Sequence, residues 1–289
     1  AMELIKQARS PVILAGNGCI RRKATAELRE FVDRTGIGVI TTFMAKGCID
    51  MDSEQYMFTA GLGFKDYPNL VIDDADLVIT LGFDMVEYHP RLWNSGCNKR
   101  IIHADFQPAE IDQYYHQEVE LVGDIGHTLA GLNKRIEQGD VKFNFNLAFQ
   151  QCMRNIMLDE LAVHSEDDTE DTIRPQKALW DARETMGPDD ILLSDVGAHK
   201  MWIARHFHSH MPNTCLIPNG YCSMGFALPG AIAASLVHPD RRIMAIAGDG
   251  GFLMNVQEME TARRLNSNIV VMVWEDGGYG LISWKQERS

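Results

Sequence analysis

The sequence predicts an α/β fold made of two open, three-layer domains, each built on a parallel sheet. Short apolar runs rich in β-branched residues alternate with segments of helical periodicity, a pattern typical of strand–helix–strand units. The length of 289 residues leaves room for about two domains of ordinary size. Hydrophobic residues make up 45% of the chain, and this is enough to form two buried cores.

Residues 1–140 are predicted to form the first domain. The apolar run 11–15 gives its first strand, which ends in the turn Gly16-Asn-Gly18 and is followed by a helix over about 23–34. Further strands are predicted at 39–43, 77–81, 100–103 and 119–122. Residues 141–172 interrupt this alternation, since an amphipathic segment (147–161) is followed there by an acidic run (166–171). We assign 141–172 to a linker.

Residues 173–289 are predicted to form the second domain, which opens with a helix carrying Ala178, Leu179 and Ala182. Helices are also expected to start near Met224, to begin by about Asn255 and to cover 279–287. Strands are predicted at 191–194, 214–217, 243–247 and 269–274. Because no strand follows the last helix, we expect this domain to be incomplete at its C-terminal end.

Charge and composition exclude several classes of function. The chain has 27 Lys and Arg against 40 Asp and Glu, a formal net charge of −13, which argues against nucleic acid or an anionic membrane as a partner. No apolar stretch is long enough to span a bilayer. The six cysteines are scattered without a Cys-x-x-Cys pair, as in a cytoplasmic protein with reduced thiols. An acidic chain that binds a phosphate must neutralise it locally.

Two acidic glycine turns carry the strongest chemical signal. Gly-Asp-Gly-Gly at 248–251 follows one apolar strand, and Glu-Asp-Gly-Gly at 275–278 follows the next. The spacing fits one strand–helix–strand unit, so Asp249 and Asp276 are expected at the tips of adjacent parallel strands. Two carboxylates beside exposed glycine carbonyls suit Mg²⁺, which completes its coordination with water and phosphate oxygens. The alternative is a tight turn in which Asp249 merely caps a helix.

These motifs resemble the thiamin diphosphate-dependent enzymes, and in particular the large subunits of acetolactate synthases. Similar segments are 195–202 (Asp-Val-Gly-Ala-His-Lys-Met-Trp), 219–229 and 274–280. Residues 1–140 resemble the Rossmann-like central domain of that family, with Gly82-Phe-Asp84 and 101–105 at the expected places. The resemblance implies that the second domain binds thiamin diphosphate.

Site residues follow from the resemblance position by position. Asp249 and Asp276 would bind Mg²⁺ through their side chains and Gly278 through its carbonyl. Met224 would be the catalytic residue that imposes the bent shape of the cofactor, although a lone methionine is more often core filler. An isolated His199 would likewise be an ordinary surface or core histidine. The residues implied to bind the cofactor are Gly197, Ala198, His199, Cys222, Ser223, Met224, Gly248, Gly250, Gly251 and Tyr279.

Two departures from the family pattern indicate the catabolic, FAD-independent type. Asp276 stands where Asn is more usual, and segment 81–90 lacks the Arg-Phe-Asp-Asp-Arg pattern of the branch that contains FAD. The turn Gly16-Asn-Gly18 has no third glycine and no clear acidic partner, so it is a weak dinucleotide fingerprint. The sequence therefore predicts an enzyme that needs thiamin diphosphate and Mg²⁺ but no FAD.

The resemblance implies condensation of two pyruvates to 2-acetolactate and CO₂, with a small 2-keto acid as substrate. Other carboligases or decarboxylases of the superfamily, of the glyoxylate carboligase or benzoylformate decarboxylase kind, remain alternatives, as does a noncatalytic α/β binding module. The segments that resemble the family begin with its central domain, and its pyrimidine-binding domain is not recognised within residues 1–289. We therefore expect the chain to be a fragment with negligible activity alone, and the full-length enzyme to be a homodimer or homotetramer.

Overall fold

A computed structural model describes residues 1–63, 66–139, 141–165 and 172–287. The chain divides into two compact units, Ala1–Glu160 and Leu161–Ser289, and each is described by itself. None of the described helices combines the length and apolar composition needed to cross a lipid bilayer.

The first unit is built on a six-stranded parallel sheet. Its strands are β1 (Pro11–Ala15), β2 (Gly38–Thr41), β3 (Tyr56–Thr59), β4 (Leu77–Leu81), β5 (Arg100–Asp105) and β6 (Val119–Val122), in the spatial order β3-β2-β1-β4-β5-β6. Its helices are α1 (Met2–Gln7), α2 (Gly18–Arg21), α3 (Thr25–Thr35), α4 (Tyr67–Asp74) and α5 (Ile125–Gln138), followed by α6 (Ala148–Ser165), which ends beyond the unit boundary.

The central strands of this sheet are buried along their whole length. Every residue of β1, β2 and β4 is buried, as expected for a parallel sheet covered by helices on both faces. Helix α3 buries Leu28, Phe31 and Val32 in the core. The residue that caps its C-terminal end is Gly36, which has a φ of 73°. Strand β3 was absent from the sequence prediction, although it is as long as β7, which was predicted.

The strand order reverses between β1 and β4, where open α/β sheets usually bind ligands. Here backbone contacts fill the crevice. The Gly16 N–H donates to the Leu81 carbonyl (2.8 Å), and the Gly18 N–H donates to the Gly82 carbonyl (2.9 Å). A Cβ on Gly18 would lie 2.5 Å from the Gly82 Cα. The glycines of this turn therefore serve close packing between the β1 and β4 loops.

Helix α6 lies within the stretch that the sequence analysis assigned to a linker. The fully buried Gln150 donates through Nε2 to the Pro11 carbonyl at 2.8 Å, and Met153 belongs to the core of the first unit. The first turns of α6 are thus packed on the sheet of the first unit. The acidic run 166–171 lies outside the described residues, and the domain boundaries of 1–140 and 173–289 stay a prediction.

The second unit contains a four-stranded parallel sheet. Its strands are β7 (Ile191–Ser194), β8 (Cys215–Leu216), β9 (Ile243–Gly248) and β10 (Ile269–Trp274), in the order β10-β9-β7-β8. Its helices are α7 (Pro175–Thr185), α8 (Ala198–His206), α9 (Ala227–Val237), α10 (Asp249–Met254), α11 (Glu258–Arg264) and α12 (Gly280–Glu287). Two parallel-sheet α/β units confirm the predicted fold class.

One predicted helix start in this unit was wrong. The helix expected near Met224 begins at Ala227, because residues around Gly225 form a turn in which Gly225 has a φ of 80°. The helix expected to begin by about Asn255 begins at Asp249 as α10, with Gly250 and Gly251 in its first turn.

Candidate cofactor-binding site

A cleft of about 960 Å³ opens in the second unit at the carboxyl ends of β7, β9 and β10. Three loops contribute to it: 196–199 after β7, 248–251 after β9 and 274–279 after β10. Strands β9 and β10 pair in parallel with Gly248 opposite Trp274. The loops that follow these residues therefore meet at one edge of the sheet, where ligands of open α/β sheets bind.

Asp249 and Asp276 both line this cleft. They stand one and two residues beyond the paired residues Gly248 and Trp274, so the structure confirms that they lie at the tips of adjacent strands. Asp249 is half-buried and accepts a hydrogen bond from the Gly250 N–H at 2.7 Å. Asp276 is exposed and accepts from the Gly278 N–H at 3.3 Å. Two carboxylates beside glycine carbonyls form an oxygen donor set suited to Mg²⁺.

Three glycines of the cleft have side chains close to where a Cβ would be. A Cβ on Gly250 would meet the ring of the exposed Tyr279, and a Cβ on Gly251 would lie 2.7 Å from Oδ1 of Asp195. A Cβ on Gly197 would lie 2.7 Å from Cε1 of His199. The glycines at these three positions therefore allow side chains of the protein to pack directly against the backbone of the turns.

His199 is the buried polar side chain of the cleft. It is 5% exposed, and its Nε2 has no hydrogen-bond partner among the described residues. Burial lowers the pKa of this imidazole, while the nearby Asp195 carboxylate opposes that shift. The ring lies 6.4 Å from that of Trp274 in an edge-on arrangement. A buried nitrogen without a partner costs free energy, so a polar ligand atom in the cleft would remove a penalty here.

Met224 lines the cleft from the turn that precedes α9. Two side chains hold the next residue in place. The Gly225 N–H donates to Oδ1 of Asp195 at 2.9 Å, and the Gly225 carbonyl accepts from Nδ2 of Asn255 at 2.6 Å. The sequence analysis assigned no role to Asp195 or Asn255. Asp195 could have been found, because a carboxylate directly after β7 stands at the ligand-binding edge of the sheet.

Most of the residues expected to bind the cofactor or metal line the cleft. Two of them, Cys222 and Ser223, are not among the described residues that line it. The Cys222 thiol lies 3.2 Å from Nζ of the buried Lys200 and 3.4 Å from Oδ1 of Asn219. Those that line the cleft are Gly197, Ala198, His199, Met224, Gly248, Asp249, Gly250, Gly251, Asp276, Gly278 and Tyr279.

Comparison with protein families identifies the class to which this fold and site belong. Residues 1–132 match the thiamine pyrophosphate enzyme central domain, and residues 195–289 match the C-terminal TPP-binding domain of the same enzymes. The chain therefore belongs to the thiamine pyrophosphate (thiamin diphosphate) enzymes.

Curated relatives narrow the comparison to acetolactate synthases. The chain is 34% identical over 290 residues to the acetolactate synthase of Bacillus subtilis (strain 168), covering 99% of this chain and 50% of that protein. It is 31% identical to the catabolic acetolactate synthase of Raoultella terrigena, with 99% and 51% covered. Identity to a probable acetolactate synthase large subunit of Methanococcus aeolicus is 29%, with 98% and 49% covered. The chain spans about half the length of these relatives.

Proposed function

We propose that the cleft of the second unit holds the diphosphate of thiamin diphosphate through Mg²⁺, within an acetolactate synthase that condenses two pyruvates to 2-acetolactate and CO₂. One observation carries the proposal. Asp249 and Asp276 stand at the tips of two adjacent parallel strands, in a cleft that they line together with glycines of the same turns. The names of the curated relatives support the choice of reaction.

The metal would be held by the Asp249 and Asp276 carboxylates and by the Gly278 carbonyl. Among the described residues, the hydrogen bond that each carboxylate accepts comes from a backbone N–H of its own turn, so a small rotation frees its oxygens for a cation. Binding of Mg²⁺ also resolves the charge problem, because a diphosphate would otherwise be repelled by a chain of net charge −13.

The diphosphate oxygens would be held by the N–H groups of Gly250 and Gly251 and by those of residues 197–199. Nε2 of His199 supplies a side-chain contact, since it is buried at the cleft without a described partner. These residues bind and orient the cofactor, and they transfer no proton in the reaction.

Thiamin diphosphate supplies a carbanion stabiliser, which makes possible the loss of CO₂ from a 2-keto acid and carbon–carbon bond formation. Met224 would pack under the cofactor and set its bent shape, while Tyr279 would lie beside its diphosphate. Both side chains line the same cleft.

We further propose that the enzyme needs no flavin. In a dinucleotide fingerprint, the glycine N–H groups of the first turn bind the pyrophosphate. Here the Gly16 and Gly18 N–H groups instead donate hydrogen bonds to the Leu81 and Gly82 carbonyls. The active protein is proposed to be a homodimer or homotetramer of the cytoplasm. Six free cysteines support a reducing compartment, and exposed apolar side chains on α10 and α11, such as Leu253 (67%), support an assembly surface.

The replacement Asp249→Ala tests the proposed metal site. Calorimetry on the natural polypeptide that carries these residues should detect Mg²⁺-dependent binding of thiamin diphosphate. Asp249→Ala should weaken this binding at least about 100-fold, because it removes a metal ligand. The matched control is Asp240→Ala, which removes an exposed carboxylate near the opposite end of β9 and should bind normally. Unchanged binding by Asp249→Ala would overturn the assignment.

A further inference from the structure

The backbone N–H and carbonyl of Gly225 are both bound by side chains that do not line the cleft. Its N–H donates to Oδ1 of Asp195 at 2.9 Å, and its carbonyl accepts from Nδ2 of Asn255 at 2.6 Å. Asp195 comes from the end of β7 and Asn255 from the end of α10. The two side chains thus connect the loop of Met224 to both neighbouring elements, and we refer to Asp195 and Asn255 as the Gly225 clamp.

Within the clamp, Asp195 makes more hydrogen bonds to the backbone than Asn255 does. It is 1% exposed, and its two oxygens accept three backbone N–H groups: Val196 (2.8 Å) and Gly225 on Oδ1, and Ala227 (2.9 Å) on Oδ2. Ala227 is the first residue of α9. A buried carboxylate with charge-assisted bonds to three N–H groups is held rigidly. It fixes Met224 and Gly225 between β7 and the start of α9.

No side chain larger than that of glycine fits within the clamp. A Cβ on Gly225 would lie 2.5 Å from Nδ2 of Asn255, and the φ of Gly225 is 80°. The same Asp195 Oδ1 limits Gly251, where an added Cβ would lie 2.7 Å away. The Met224 turn and the 248–251 turn therefore pack against one shared carboxylate, so their relative position depends on Asp195.

We propose that Asp195 and Asn255 are positioning residues, which hold the Gly225 peptide and through it place the Met224 side chain in the cofactor cleft. This role rests on the proposed function, because Met224 is assigned there to the bend of thiamin diphosphate. The clamp itself is a property of the protein without cofactor, and it can be measured separately.

Hydrogen exchange on the cofactor-free natural polypeptide tests the clamp. Asn255→Ala removes the bond to the Gly225 carbonyl from a half-buried position, where folding should survive. Exchange of the segment 222–227 should accelerate about fivefold or more, as expected from losing one hydrogen bond to a local opening. Segment 243–248 of β9 should not change. Asn268→Ala removes an exposed side chain that makes no hydrogen bond within the described part of the chain, and it should leave both segments unchanged.

A kinetic comparison tests whether the clamp acts on Met224. With cofactor and pyruvate, Asn255→Ala should lower kcat about tenfold, while the concentration of thiamin diphosphate giving half activity changes less than about threefold. Asp195→Asn keeps an acceptor for Gly225 but turns an amide toward the Ala227 N–H. It should accelerate exchange at Ala227 and show a smaller fall in kcat than Asp195→Ala.

The outcomes separate the clamp from the cofactor assignment. Unchanged exchange of 222–227 in Asn255→Ala would overturn the clamp, whatever the enzyme does. Equal losses in kcat and in cofactor affinity would also overturn it, because they would indicate general damage to the site. If the wild-type protein bound no thiamin diphosphate, the proposed function would fail, and exchange alone would still decide whether the clamp exists.

Discussion

At the scale of single residues, Asp276 is the unusual member of the proposed metal pair. It is exposed, whereas Asp249 is half-buried, and it stands where the family more often has Asn. A carboxylate adds a negative charge next to the cation and should raise Mg²⁺ affinity, because affinity of oxygen sites for divalent ions increases with ligand charge.

The replacement Asp276→Asn should therefore weaken Mg²⁺ binding more than it slows catalysis. We expect the Mg²⁺ concentration for half activity to rise roughly tenfold and kcat to change less than about threefold, since an amide oxygen still binds the metal. Titration of activity with Mg²⁺ measures both. Glu275→Gln removes a neighbouring exposed carboxylate that accepts from the Gly277 N–H and should have a smaller effect. An equal shift in both variants would show that Asp276 is not a ligand.

A second residue-scale prediction concerns Glu87 in the first unit. Burial raises the pKa of this carboxyl, and its Oε1 accepts from the Met44 N–H at 3.1 Å. A pKa raised in the folded state means that folding favours the protonated form, so this residue contributes most stability at low pH and loses it as pH rises. Glu87→Gln keeps an acceptor without ionising.

The urea midpoint of Glu87→Gln should therefore exceed that of the wild type at pH 8, and the difference should shrink toward pH 5. Unfolding followed by circular dichroism at both pH values measures this. A difference that grows toward low pH would contradict the assigned direction of the pKa shift.

At the scale of elements, glycines divide into those that the packing requires and those that it does not. Gly251, in the first turn of α10, is buried and has the Asp195 carboxylate where its Cβ would be. Gly131, in the middle of α5, is exposed, and an added Cβ would have no neighbour within 4 Å.

The same substitution should consequently have opposite effects at these two positions. Gly131→Ala should stabilise the protein by about 0.5–1 kcal/mol, because alanine loses less backbone entropy in a helix. Gly251→Ala should destabilise it by about 1–3 kcal/mol through overpacking. Thermal unfolding monitors both. Stabilisation by Gly251→Ala would contradict the close contact with Asp195.

Five strands were predicted with the bounds that the structure shows. They are β1, β4, β6, β7 and β10, and each is a compact run rich in residues with high β propensity. The start of α9 was placed too early, because the turn before it depends on Gly225. Side chains of Asp195 and Asn255, which are distant in the sequence, hold this turn.

For the site, sequence analysis identified the two aspartates and the loops around them, because motif spacing reflects the strand–helix–strand unit directly. It assigned no role to the clamp residues Asp195 and Asn255, which do not line the cleft. It also placed Cys222 with the cofactor, whereas in the structure this thiol contacts Lys200 and Asn219. Tertiary contacts determine the direction of a side chain in a loop, and the pattern of apolar residues along the sequence does not predict these contacts.

At the scale of the whole molecule, an excess of negative charge and a diphosphate ligand are compatible only through local neutralisation. The paired aspartates at β9 and β10 make Mg²⁺ the natural means. We therefore propose, from the fold, the paired aspartates and the acetolactate synthase relatives taken together, that these residues belong to an Mg²⁺- and thiamin diphosphate-dependent enzyme acting on pyruvate.

The most direct test is to measure 2-acetolactate formation from pyruvate by the natural polypeptide that carries these residues, with Mg²⁺ and thiamin diphosphate and without added FAD. We expect robust formation of acetolactate and CO₂, its loss on chelation of the metal, and no flavin in the purified protein. Release of CO₂ with a different coupling product would leave the cofactor assignment intact and overturn the substrate. Absence of both activity and cofactor binding would contradict the central claim and favour a noncatalytic α/β module.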